Sequence, residues 1–316
     1  MAEIRWIARP KGSVKMTAVA PTESVRKTAG RLLGSSSKNS YDPELDIDWD
    51  APVDGVYGDL KFMPYERTSL YGTALWDRMT DPQRRELSRQ ELASVASTGL
   101  WFELILIQML SRWAYHQDPQ DPRTQYALTE IGDETRHIIM FTKSIAKLGT
   151  PTYRPRALIH HLARIYQATA AGPALFAPVL VAEEITDRLQ REMVNDESVH
   201  PLVRMVNRIH VVEEARHVRF AREEVARQMA SIGPIAKVVS NTASAIVAAF
   251  VATSMISPDV YKEVGLDPHE AIRAARNNPN YHETRRWMAE KIMAFLQEQG
   301  MVTWYSKPIY GLAHLI

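Results

Sequence analysis

The chain has 316 residues, with 38 Lys and Arg against 37 Asp and Glu; a net charge of +1 gives no electrostatic case for nucleic acid or an anionic membrane surface. It has no Cys, which excludes disulfides, a thiolate nucleophile, Cys-ligated iron–sulfur clusters and thiolate haem. With 45% apolar residues there is material for one large helical domain or two small ones, and any metal must be held by N and O ligands, which suit iron, manganese or zinc.

The first residues, MAEIRWIARPKGSVK, contain no apolar core of signal-peptide length, and the expected location is cytoplasmic. Residues 1–50 read as a partly irregular arm, with a short helix from Thr22 to Leu33 that SSSKNS breaks and a loop-like YDPELDIDWDAP after it. Asp46, Asp48 and Asp50 imitate the start of a calcium loop, but Ala51 and Tyr57 stand where such a loop needs Gly and Glu, so this reads as a solvated acidic loop. Residues 51–316 are expected to form a single helical domain, its metal-binding bundle at about 83–232 and its C-terminal helices within 235–300. Asp81 followed by Pro82 starts the first long helix, which runs to about Tyr115; HQDPQDP is a turn. A second helix covers about 123 to Leu148, stopped by Gly149 and Pro151, a third about 157–170, and a fourth about 174–194. NDESVHP precedes a fifth, with Pro201 in its first turn, that reaches about Ile232. Further helices are expected near 235–256, 267–276 and 280–299. The apolar run Ala243 to Ile256 is too short to span a bilayer and reads as a buried helix. No period-two alternation is convincing away from the chain ends, so the fold class is mainly α.

Two parts of the chain repeat one pattern. Glu103 is followed by Glu134 on the next long helix, and three positions on by His137. Glu183 is followed at the same spacing by Glu214, and three positions on by His217. One constant offset therefore carries Glu103 to Glu183, Glu134 to Glu214 and His137 to His217. A Glu from one helix and a Glu-x-x-His from the next, used twice, is the ligand pattern of a carboxylate-bridged di-metal centre in a four-helix bundle. At about 100° per residue, Ala127, Glu130, Glu134, His137, Phe141 and Ile145 share one face of the second helix. Val203, Val206, His210, Glu214, His217 and Phe220 share one face of the fifth. Both stripes are apolar at the ends and charged in the middle. Buried carboxylates without compensation are costly, and cations among them resolve the charge. Arg136 and Arg216 sit two residues after each Glu and are expected to look outward, which removes them as partners.

A lone Glu-x-x-His is usually chance. Glu197 and His200 form such a pair, but they lie in a predicted loop, and the position where the repeat would require a partner Glu for Glu197 is Tyr166. Glu184 is an alternative to Glu183, and Glu91 to Glu103; the spacing favours Glu183 and Glu103. Asp133 and Glu213 each precede a bridging candidate and are candidates to accept the outer N–H of a metal-bound imidazole. The repeat breaks at His210, four residues before Glu214, where the first half has Glu130. His210 is thus either a third imidazole on one metal or a buried, hydrogen-bonded histidine.

At these residues the chain resembles the p-aminobenzoate N-oxygenases, the AurF-like diiron oxygenases. The resemblance rests on WFELILIQ at Glu103, TEIGDETRH at Glu134 and His137, VLVAEEITD at Glu183, and IHVVEEARH at His210, Glu214 and His217, and covers roughly residues 60–230. Glu213 departs from the pattern, which has Asp there; this bears on the contact behind the imidazole and not on the ligand set. The resemblance implies a ferritin-like four-helix bundle with flanking helices. It implies two irons, replaceable by manganese or zinc, with O2 as co-substrate. Glu103, Glu134 and His137 would serve chiefly one iron, and Glu183, His210, Glu214 and His217 the other, with Glu134 and Glu214 bridging. The implied reaction is N-oxygenation of an amine, an aryl amine going to a hydroxylamine or nitro product. With no flavin or nicotinamide motif in the sequence, electrons are expected from a separate reductase or ferredoxin. A small organic substrate, no nucleic acid, no membrane span and a homodimer complete the expectation. The rivals are a diiron hydroxylase or desaturase of a lipid or aromatic substrate, a ferroxidase or iron-handling protein, and a zinc hydrolase on the same ligands.

Overall fold

The structure is a computed structural model that describes residues 23–316. These form α1 (Glu23–Ser36), α2 (Pro43–Asp46), α3 (Ala74–Arg78), α4 (Asp81–Tyr115), α5 (Pro122–Lys147), α6 (Ala157–Thr169), α7 (Pro173–Asn195), α8 (Pro201–Met229), α9 (Pro234–Ser254), α10 (Val260–Glu263), α11 (Pro268–Arg276), α12 (Pro279–Glu298) and α13 (Lys307–Leu312). No strand occurs among the described residues; a single parallel bridge joins Lys61 to Val199. The first residues, on which the signal-peptide reading rests, lie outside the described part.

Local chemistry sets each start. Thr80, rather than Asp81, caps α4, in a capping box with Gln83; Asp81 occupies the first turn. Asp121 caps α5 and accepts from the Arg123 N–H, with Pro122 at the helix start. The chain enters α7 through Gly172, whose φ of 62° suits glycine, followed by Pro173. His200 caps α8 through its ring, accepting from the Leu202 N–H at 3.1 Å. Pro178 inside α7 has no N–H for the Ala174 carbonyl four residues back, and that carbonyl instead accepts the Tyr166 hydroxyl from α6. A helix-breaking residue thereby ties the crossover segment to the bundle.

The bundle is two helix hairpins. The α4 and α5 pair is joined by a short turn, as is the α7 and α8 pair, and α5 packs on α8 while α4 packs on α7. The interior carries Leu106, Leu110, Phe176, Leu180 and Phe220, all buried. Each such side chain contributes roughly 1.5–3 kcal/mol, which helps offset the polar centre between them. Outside the bundle, α9 and α12 lie on α7, α13 on α9, and α6 on α4. Within the described part of the arm, α1 covers the expected short helix, ends at Ser36 rather than Leu33, and packs across α5 and α8.

Two helices, α4 and α9, are long and apolar enough to cross a membrane by length and composition. α4 is half buried in the bundle and has Glu103 within its apolar stretch. α9 corrects the expectation of a buried helix. Ala245, Ala248 and Ala252 face inward, but Ile235, Val239, Ile246 and Phe250 are exposed. Its apolar run reflects one packed face and one uncovered face.

Candidate metal centre

Both charged stripes fall inside the bundle. Glu130, Glu134 and His137 on α5 are buried, as are His210, Glu214 and His217 on α8, and Glu103 on α4 and Glu183 on α7 face them. The two Glu-x-x-His helices are neighbours in space, so the two copies of the repeat meet. Four overlapping groups have donor atoms all within 4.8 Å of one another: Glu103, His137 and His210; Glu130, Glu134 and His217; Glu134, His137 and Glu214; and Glu183, His210 and Glu214. All seven residues singled out from the sequence as ligands appear in these groups. Glu134 and Glu214 are each shared by two of them.

The imidazoles are oriented by what they do with each nitrogen. His137 Nδ1 lies 3.1 Å from Glu134 and 3.3 Å from Glu214. His217 Nδ1 lies 2.9 Å from Glu214 and 3.1 Å from Glu134. Their Nε2 atoms point away from this centre and cross over between helices. His137 on α5 pairs with Glu213 on α8 at 2.9 Å, and His217 on α8 pairs with Asp133 on α5 at 3.1 Å. With Nε2–H donated to a carboxylate, Nδ1 is the free lone pair, aimed at the two central Glu residues. The Glu213 side chain thus reaches an imidazole although it is longer than Asp. His210 is turned the other way. Its Nδ1 meets Gln190 Oε1 at 2.9 Å, and its Nε2 faces Glu103 at 3.5 Å and Glu214 at 3.8 Å.

Arg136 and Arg216 do not look outward as expected. Arg216 is buried and lies 3.5 Å from Glu213 and 3.6 Å from Asp133, and Arg136 pairs with Asp133. A long side chain beginning on the far face folds back to the rear of the site. The arginines balance the two carboxylates behind the imidazoles and leave the central ones to another cation. The arm contributes here too: the Tyr41 N–H donates to Glu213 at 3.2 Å, and Arg216 donates to the Asn39 carbonyl at 3.2 Å.

Electrostatics show how crowded the centre is. Burial, reinforced by the neighbouring carboxylates, pushes Glu183 and Glu130 well above the usual carboxylate range. Burial raises Glu103 to about 7 despite the opposing His210. Burial also opposes ionisation of Glu214, but His217, His137 and His210 outweigh it and hold that carboxyl well below its usual value. Burial disfavours charged His137 and His217, yet the surrounding carboxylates raise both. Five carboxylates can be ionised together here only if positive charge joins them.

The residues fit a pair of metal ions. Donors about 2.1 Å from one cation and at right angles lie about 3 Å apart, and the Nδ1-to-carboxylate separations of 2.9 to 3.3 Å match. Glu103 Oε2, Glu130 Oε2, Glu134 Oε1, Glu214 Oε2 and His210 Nε2 are buried with no hydrogen-bond partner. These are the atoms a metal would satisfy.

The alternatives separate cleanly in space. Glu184 pairs with Arg222 at 2.8 Å, whereas Glu183 is in the cluster. Glu91 is bonded to Ser69 in a second core around Leu70 and Tyr261. Glu197 is exposed, while His200 stacks on Phe62 at 5.6 Å as well as capping α8. Three features were not anticipated. Glu130 joins Glu134 and His217, and its place four residues before Glu134 was the available signal. Gln190 holds His210, and stands seven residues after Glu183 on the same face of α7. The contact of Asn39 and Tyr41 with α8 joins segments far apart in sequence, and no local signal announces it.

A small cavity of about 60 Å³ opens beside Glu103, Glu183 and His210. A second of about 730 Å³ lies between α4, α6 and α9, and the two share Thr98, Phe102 and Val251 as walls.

Comparison with known proteins shows the family. The chain matches the family described as P-aminobenzoate N-oxygenase AurF over residues 22–300 and belongs to that family. It is a family of oxygenases. Uncharacterized proteins of Mycobacterium tuberculosis and Mycobacterium bovis are 30% identical to it over 203 residues, which is 63% of this chain and 59% of theirs. The match thus spans less than two thirds of these curated relatives.

Proposed function

We propose that the protein is a diiron oxygenase that N-oxygenates an amine, an aryl amine first among candidates. The observation that carries this reading is His210, a third buried imidazole whose Nε2 has no hydrogen-bond partner and faces the small cavity together with Glu103 and Glu183. Glu103, Glu134 and His137 would hold one iron and Glu183, His210, Glu214 and His217 the other, with Glu134 and Glu214 between them. The metal pair, when bound, supplies two-electron activation of O2.

The balanced first step is R–NH2 + O2 + 2e⁻ + 2H⁺ → R–NHOH + H2O. The electrons come from an external reductase or ferredoxin. The chain's own contribution is position and environment. Glu213 and Asp133 fix the ring orientations of His137 and His217, and Gln190 fixes His210. Phe102, Phe141 and Val206 line the cavity and keep water from the reacting nitrogen.

The test is turnover of reduced protein with isotopically labelled O2 and a panel of aryl amines, read by mass spectrometry. Label on nitrogen supports the proposal. The large apolar cavity favours a second reading, hydroxylation or desaturation of an apolar chain; label on carbon, or a dehydrogenated product without label, would establish it instead. Iron accumulating as mineral with no organic product would refute both.

A further inference from the structure

The two cavities are unequal, and their inequality carries information about the substrate. The inner one, beside Glu103, Glu183 and His210, has about 60 Å³, room for about four waters. It accepts the reacting terminus of a ligand and little more. The outer one has about 730 Å³, within the roughly 300–1,000 Å³ of pockets that enclose drug-sized ligands. Thr98, Phe102 and Val251 line both cavities and form the wall they share. The outer walls are apolar, with Trp101, Ile105, Leu162, Val247 and Phe250 among them.

Charge is distributed unevenly in this outer cavity. No Asp or Glu lines it, whereas Arg154 and Arg164 do. Both are exposed, one just before α6 and one on it, and neither has an ion-pair partner among the described residues. Elsewhere in the protein arginines are commonly paired, as Arg67 is with Glu192 and Arg123 with Glu224. Two exposed guanidinium groups without an ion-pair partner among the described residues, both lining an apolar, acid-free cavity, match an anionic group.

Building on the reading of the metal centre given above, we propose that the substrate is an extended amphiphile. Its amine terminus passes Phe102 into the inner cavity, its apolar body fills the space between α4, α6 and α9, and an anionic end, carboxylate or phosphate, meets Arg154 and Arg164. A single-ring amino acid would leave most of the outer cavity unfilled and would not reach the arginines.

Calorimetric titration of the full-length protein with aminophenyl alkanoates of increasing chain length tests this. The controls are the matching neutral amides and the matching alkyl phosphates. Affinity should rise about three- to fourfold per added methylene until the arginines are reached. Arg154→Ala with Arg164→Ala should weaken the long anionic ligands about fivefold or more and leave the amides unchanged. A preference for the phosphate or the carboxylate series identifies the anion. Ala163→Trp, which fills the outer cavity, should abolish the length dependence. Circular dichroism of each variant separates misfolding from lost binding. Affinity that does not change with chain length, or equal loss of anion and amide binding in the arginine variant, overturns the proposal. The labelled-oxygen assay on the same ligands keeps the two questions apart. Length-dependent, arginine-dependent binding without label on nitrogen refutes N-oxygenation alone; label on short amines with no length preference refutes the amphiphile alone.

Discussion

Glu213→Gln is the most discriminating single change at the site. Glu213 Oε2 accepts from His137 Nε2 at 2.9 Å, while Oε1 accepts the Tyr41 N–H at 3.2 Å and faces Arg216 at 3.5 Å. Glutamine keeps the shape but has only one acceptor oxygen. If that oxygen serves His137, the amide NH2 confronts the Tyr41 N–H and Arg216, donor against donors. If it serves Tyr41, the imidazole loses its acceptor. Either outcome frees the ring to rotate and removes the charge that strengthens Nδ1 as a donor. Losing such a support typically weakens metal affinity by about 10- to 100-fold, or about 1.4–2.7 kcal/mol. The burial of Glu213 and its three partners place the expectation toward the upper end. The assay is iron competition against a chelator of known affinity, run as a double-mutant cycle with His137→Ala. Because Glu213 acts through His137, adding Glu213→Gln to His137→Ala should cost little more. Equal affinity for Glu213→Gln and wild type, or full additivity in the cycle, would refute the crossed carboxylate–imidazole arrangement.

Other outcomes follow from the same geometry. Wild type should bind two irons per chain, and Glu103→Ala, His137→Ala, Glu183→Ala and His217→Ala should each lower the metal count; two irons in all four variants would refute the ligand assignment. His210→Ala should keep most helix content and at least one iron but lose O2-dependent turnover, and wild-type-like turnover would return His210 to a structural role. Glu197→Ala should change neither metal content nor stability. His200→Ala should leave the metal untouched but cost about 1 kcal/mol in urea unfolding, because the ring caps α8; a lost iron would reinstate that pair as ligands. Burial raises Glu91 from the usual 4.5 to about 7. Its stabilising contribution is therefore complete below about pH 4.5 and lost as pH rises to about 7, worth about 3 kcal/mol at about 1.4 kcal/mol per pH unit. The stability of Glu91→Gln relative to wild type should rise across that window and level off above it, and a difference independent of pH would refute the assignment.

Helix boundaries and the two charged stripes were legible because they rest on local rules. Proline and glycine punctuation brackets α5, α7 and α8, and a period of 3.6 puts Glu134 with His137 and Glu214 with His217 on buried faces. The failures have a common physical cause in side-chain length and distant partners. Helical phase alone sends Arg216 outward, but its flexible side chain folds back to Asp133 and Glu213. Apolar composition alone buries Ala243 to Ile256, but composition does not count how many neighbours exist to cover a helix, and α9 has them on one side only. The crossed pairing of Asp133 with His217 and Glu213 with His137 needs α5 and α8 side by side, which spacing along one helix does not specify.

On the function proposed above, the break in the near-repeat accounts for the side of the centre that would meet substrate. Two equivalent halves would give two equivalent metal environments, and the fold breaks that equivalence at one position, where α5 has Glu130 and α8 has His210. Glu130 groups with Glu134 and His217, whose ring lies 6.5 Å from that of Tyr126, and Tyr126 packs on Phe220 with ring centroids 4.9 Å apart. His210 sits on the open side, where the inner cavity touches it but does not touch Glu130 or His217. The extra carboxylate, pushed well above its usual range by burial, sits beside Glu134 and His217 and does not line the inner cavity. The extra imidazole, which brings no negative charge, faces the cavity through which a ligand would come. On the proposed reading, an amine approaching from the α4, α6 and α9 side would meet Glu103, Glu183 and His210 first, so the residue that breaks the repeat would also be the one to distinguish the chemistry of the two metal positions.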